Sequence, residues 1–129
     1  MNILVIEDSR FLRTAIERVL AKAGHSVTGV ADGREGLRVA RTSSPALILL
    51  DMMLPGMDGT AVLRALKLDA FPVIVLTGLS QKNESKMKSA GASAYIEKSS
   101  LDLQRNADAL VQSVETLLMR SVAVNTVCT

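Results

Sequence analysis

The sequence predicts one α/β domain built around a parallel sheet, and three observations lead there. Short apolar runs rich in Val, Ile and Leu recur along the chain, with helical stripes between them. Three of those runs lack polar alternation, the pattern of strands buried on both faces. The chain has 129 residues, which suits a single domain able to bury roughly two-thirds of its unfolded surface without a disulfide or structural metal.

In chain order, the first strand is Ile3-Leu4-Val5-Ile6. A helix follows, with Phe11, Leu12, Ala15, Ile16, Val19, Leu20 and Ala23 on a 3.6-residue stripe and Gly24 as its stop. Further strands are expected at Val27 to Val30, Leu47 to Leu50, Val73 to Leu76 and Ala94-Tyr95-Ile96. Weaker helical patterns fill Gly33 to Thr42, Thr60 to Leu68 and Gln81 to Ala90. A last stripe runs through Leu103, Ala107, Leu110, Val111, Val114, Leu117 and Leu118. Pro45, Pro55 and Pro72 each punctuate a connection next to a strand. Five strands alternating with five helices form an α/β sandwich with helices on both faces of the sheet. The domain is expected over residues 1–120, with 121–129 either a frayed tail or the start of a linker, because the helical stripe is lost after Arg120.

Composition excludes several function classes. Hydrophobic residues at 48% and charged residues at 22% exclude a disordered chain. Aromatics at 2% leave too few rings for a single-strand nucleic-acid binder that stacks bases. The net charge of +2 is too small to imply a nucleic-acid partner, and 129 residues hold no helix-turn-helix domain beside this one, so no direct nucleic-acid contact by these residues is expected. The one cysteine, Cys128, has no internal partner for a disulfide. Glu7 and Asp8 stand where a signal peptide would need a cationic start, and no apolar stretch is long enough for a membrane span, so a cytoplasmic location is expected.

In parallel α/β sheets, ligands bind outside the carboxyl ends of the strands. Those ends carry Glu7-Asp8, Asp51, Thr77 and Lys98. Three carboxylates about 5 Å apart repel by roughly 3 kcal/mol per pair at an effective dielectric near 20. Such a cluster raises a pKa, recruits a cation or pairs with the lysine. An all-oxygen donor set suits Mg²⁺ better than zinc or copper. Asp8 or Ser9 could equally serve as the cap of the first helix, whereas Asp51 precedes the apolar Met52, Met53 and Leu54, where an unpaired charge is costly. Taken singly, Thr77 reads as a β-former and Lys98 as a surface lysine.

Together these residues resemble the receiver domain of two-component response regulators. The resemblance rests on Glu7-Asp8, on Asp51-Met-Met-Leu-Pro-Gly-Met-Asp-Gly59, on Thr77-Gly78 and Gly91-Ala92, and on Tyr95-Ile-Glu-Lys98. It covers residues 2 to about 120. It implies a flavodoxin-like (βα)5 sandwich with strand order 2-1-3-4-5. It also implies that Asp51 is the phosphoryl acceptor, that Asp8, Asp51 and the Met53 backbone carbonyl bind Mg²⁺ with Glu7 assisting through a water, and that Thr77, Lys98 and Tyr95 form the switch. The implied donor is a histidine kinase or histidine phosphotransfer protein. His25, the only histidine, follows Gly24 in a helix–strand connection and is expected on the surface, away from the strand ends. The implied output is a partner protein or domain reading the face of helix four, strand five and helix five, and self-association through that face would be in keeping. The domain would be a phosphoacceptor that assists its own phosphorylation and dephosphorylation, not an enzyme acting on a separate substrate.

Two departures from the family pattern have consequences. Lys98 precedes Ser99 where the family has proline, and a cis bond to a non-proline costs about 2.5–4 kcal/mol, so a trans peptide is expected there. Met53 and Leu79 offer no side chain to orient an attacking water, so a long phosphoryl lifetime is expected. Two other readings compete. An aspartate-nucleophile phosphatase or dehalogenase would carry a second acid where Met53 stands, and a receiver-fold interaction module that is never phosphorylated would not need its site residues. No glycine-rich loop follows the first strand to cradle a nucleotide.

Overall fold

The computed structural model of the chain describes residues 1–51, 59–77, 94–97 and 110–119. Its elements are β1 (Asn2–Ile6), α1 (Arg10–Lys22), β2 (Ser26–Val30), α2 (Gly33–Ser43), β3 (Leu47–Asp51), α3 (Gly59–Leu68), β4 (Val73–Thr77) and β5 (Ala94–Glu97). Residues 110–119 are helical and belong to the last predicted helix. The expected helix at Gln81 to Ala90 lies outside the described residues, as do residues 121–129.

The strands form one five-stranded sheet in the order β2-β1-β3-β4-β5, every neighbouring pair parallel. The three unbroken apolar runs are its three inner strands. The side-chain alternation of a strand sends successive residues to opposite faces. Leu4, Ile6, Ile48, Leu50, Val73 and Val75 therefore pack with Val62, Leu63 and Leu66 of α3 and Ala40 of α2. Ile3, Val5, Leu47, Leu49, Ile74 and Leu76 face the other way, against Ile16 and Leu20 of α1 and Leu110, Val114 and Leu118 of the terminal helix. β2, at an edge, alternates in exposure, as its sequence does.

Local chemistry sets the helix ends. The Ser9 hydroxyl caps α1 by accepting from the Leu12 N–H at 3.3 Å, and Gly24 leaves the helix with φ +99°, a left-handed value that glycine adopts without cost. Asp32 caps α2, its carboxylate accepting from the Glu35 N–H at 2.8 Å. α2 runs one residue past the predicted Thr42, because Ser44 is the residue that turns left-handed, with φ 48°.

α2 approaches β1 closely at Gly36, where a Cβ would run into the Ile6 side chain. That contact fixes how near the helix lies to the central strand.

Candidate functional site

The site lies where the sheet order reverses, between β1 and its neighbour β3. The last register pair of these strands is Ile6 with Leu50, so Glu7 and Asp51 come next on each. The parallel register thus brings two carboxylates side by side at the carboxyl edge. Both are buried: Glu7 is 0% exposed and Asp51 1%. Asp8 is exposed at the start of the turn into α1. Carboxylate oxygens of Glu7, Asp8 and Asp51 lie within 4.8 Å of one another.

The β1–α1 turn that carries the acid pair is held at several points. The Glu7 N–H donates to the Val30 carbonyl at 3.0 Å, extending the pairing with β2 by one residue. The Ser9 N–H donates to Glu7 Oε1 at 3.1 Å. Arg13 Nη1 reaches back from α1 to donate to the Glu7 carbonyl at 2.8 Å. Because Ser9 takes the capping position, Asp8 is left to the edge, which decides between the two roles its sequence position allowed.

Three carboxylates this close together favour a cation among them. Its donors are all carboxylate oxygens, with neither imidazole nor thiolate in the group, which matches the preference of Mg²⁺. Exposed Asp8 leaves one side open to solvent, where a Mg²⁺ that keeps several waters would sit. The residues present therefore fit the ion.

Of the other predicted site residues, Thr77 ends β4, in register with Glu97 of β5, and so stands at the same edge by backbone position. Tyr95 lies in β5 opposite Val75. Met53, Leu79, Lys98 and Ser99 lie outside the described residues, and β5 ends one residue before Lys98.

His25 corrects the sequence reading in part. It does sit in the α1–β2 connection, but its side chain is only 10% exposed, with Nε2 3.6 Å from Glu115 of the terminal helix. The terminal helix, packed in the same cluster as α1, covers a position that local sequence reads as surface.

The family model described as the response regulator receiver domain matches residues 3–114. The chain belongs to that family. Among curated proteins, the receiver domain is similar to the transcriptional regulatory protein AfsQ1 of Streptomyces coelicolor, 46% identical over 59% of this chain and 34% of that protein. It is also similar to the transcriptional regulatory protein HprR of Escherichia coli, 39% identical over 76% of this chain and 45% of that protein. The chain thus spans less than half the length of these curated relatives. Among solved structures, the BeF3-activated N-terminal receiver domain of Klebsiella pneumoniae RstA superposes with a TM-score of 0.82 at 31% identity, covering 92% of this chain and 98% of that one. The receiver domain of Francisella response regulator 1452 gives 0.83 at 28% identity, covering 93% and 98%. The doubly wound fold and the two-component receiver class expected from the sequence are both borne out. Among the described residues no helix is long and apolar enough to cross a membrane.

Sequence reasoning passed over Arg13. Its contact is with a backbone carbonyl six residues earlier, and no residue pattern announces such a contact.

Proposed function

We propose that the receiver accepts a phosphoryl group on Asp51 from a phosphohistidine of a histidine kinase or histidine phosphotransfer protein. In this reading an Asp51 carboxylate oxygen attacks phosphorus in line, the new O–P bond forms as the N–P bond of the donor breaks, and the imidazole leaves with the electron pair and takes up a proton. Glu7, Asp8, Asp51 and the Met53 backbone carbonyl would hold Mg²⁺. When bound, the ion supplies charge neutralisation at the phosphoryl oxygens. Burial of Asp51 keeps its nucleophilic oxygen from bulk water and in place before the donor arrives.

Thr77 and Lys98 would each donate a charge-assisted hydrogen bond to the acyl phosphate, worth about 1.5–3 kcal/mol apiece. Two such bonds are of the order of the about 5.5 kcal/mol that moves a two-state population from 1:99 to 99:1. Tyr95 would follow the Thr77 hydroxyl, passing the change to residues 81–90, 94–96 and the start of the last helix. A downstream protein or domain would read that face, and self-association would use it too. The receiver makes no direct contact with nucleic acid or membrane in this account. It acts in the cytoplasm over residues 1–120, with 121–129 as a tail or linker.

The observation that carries the reading is the buried Asp51 carboxylate at the end of β3 with two further carboxylates within 4.8 Å. The test is intact mass after incubation with acetyl phosphate and Mg²⁺, with Asp51→Asn beside it. A gain of one phosphoryl group that requires Mg²⁺ and is lost in the variant supports the reading. No gain by the folded, Mg²⁺-binding chain supports an interaction module that is never phosphorylated.

A further inference from the structure

The acid pair is joined by a single peptide group, whose oxygen is the Glu7 carbonyl and whose N–H belongs to Asp8. A carbonyl just past the end of a strand has left the ladder, and its orientation must be set by another donor. Here that donor is a side chain: Arg13 Nη1 donates to it at 2.8 Å. The preceding peptide is held by the Glu7 N–H on the Val30 carbonyl at 3.0 Å. Arg13 is itself anchored in the first turn of α1, its N–H on the Ser9 carbonyl at 2.8 Å. Its side chain is 19% exposed, with Glu17 3.9 Å from its Nε. The guanidinium thus ties the plane of the Glu7–Asp8 peptide to the helix.

We propose that Arg13 is a positioning residue for the metal site, holding the peptide between Glu7 and Asp8 so that both carboxylates point to one cation. The inference rests on reading Glu7, Asp8 and Asp51 as the Mg²⁺ ligands. Its physics makes a signed prediction. A positive charge beside an acidic cluster by itself weakens cation binding, so removing it would tighten Mg²⁺ if charge were its only influence. Loss of positioning acts the other way, because partners that orient metal ligands govern affinity, often tenfold or more.

The experiment is calorimetric titration of the full unphosphorylated chain with Mg²⁺, for wild type, Arg13→Met and Arg13→Lys, with thermal melts of each. Arg13→Met, which keeps the length of the side chain and removes donor and charge, is expected to bind Mg²⁺ about tenfold more weakly. Arg13→Lys, which can still place one ammonium donor on the carbonyl, is expected to recover most of that loss. If Arg13→Met does not fold, a folded Arg13→Lys that binds more weakly than wild type still supports the role, since its charge is unchanged. Mg²⁺ affinity that is unchanged or tighter in the folded variants, with only the melting temperature lowered, overturns it. Absence of saturable Mg²⁺ binding by wild type overturns the metal-site reading and this inference together.

Discussion

Glu7, directly after β1, and Asp51, the last residue of β3, each lie one residue past the Ile6–Leu50 pair of these parallel neighbours, and both carboxylates are buried. Strand register brings them together, and the β1–α1 turn holds Glu7 in place. Two buried acids side by side are tolerated where a cation or cationic partner offsets them. Mg²⁺ should therefore stabilise the receiver by mass action, by about 2.7 kcal/mol at a concentration one hundred times its Kd. A melt of wild type with and without Mg²⁺ should show this gain, and Asp51→Asn should lose most of it. An equal gain in the variant would place the ion elsewhere.

Ser9 and Asp8 are adjacent and do different work. Ser9→Ala removes the hydroxyl that accepts from the Leu12 N–H and should cost about 1 kcal/mol of stability. Asp8→Asn leaves that cap intact and should weaken Mg²⁺ binding without a comparable loss. Chemical denaturation and Mg²⁺ titration of both variants separate the roles. A larger stability loss in Asp8→Asn than in Ser9→Ala would reverse them.

Gly36 is set by packing. A Cβ there would meet the Ile6 side chain, so Gly36→Ala should destabilise the fold by about 1–3 kcal/mol despite the better helix propensity of alanine. Ile6→Val in the same chain removes a methyl group from that contact. The double variant should therefore lose less than the sum of the two single losses, as denaturation midpoints will show.

Glu35 and Arg38 form an exposed pair on α2. The hydrogen bond from Arg38, helped by its charge and opposed by burial, holds the Glu35 carboxyl below its ordinary value of 4.5. A carboxyl depressed in the folded state contributes stability above its unfolded value, and that contribution is lost as pH falls through the folded value. Solvent keeps the contribution small. Arg38→Ala should return the Glu35 titration toward the ordinary value by NMR. An unchanged titration would show that Arg38 is not the cause.

The inner strands were legible because burial on both faces leaves unbroken apolar runs, as at Leu47 to Leu50, and β2 because an edge position leaves alternation. Asp51 stood out because a charge set inside an apolar run is costly unless it has a use, and Glu7 because it falls at the carboxyl end of a strand. Strand order was not in the periodicity and came with the family resemblance. The choice of Ser9 over Asp8 as cap turns on one hydrogen bond that either residue's chemistry allows. His25 was misread because Glu115, ninety positions away in sequence, covers it. Arg13 was passed over because a helix arginine on one amphipathic turn looks the same whether its guanidinium meets water or a backbone carbonyl.

Borohydride trapping tests whether Asp51 itself carries the phosphoryl group. Borohydride reduces an acyl phosphate to an alcohol and leaves ordinary carboxylates intact. After phosphorylation with acetyl phosphate and Mg²⁺, peptide mass mapping should find the carboxyl of residue 51 reduced and those of Glu7 and Asp8 unchanged. Reduction at Glu7 or Asp8, or none anywhere in a chain shown by intact mass to be phosphorylated, would rule out Asp51 as the acceptor.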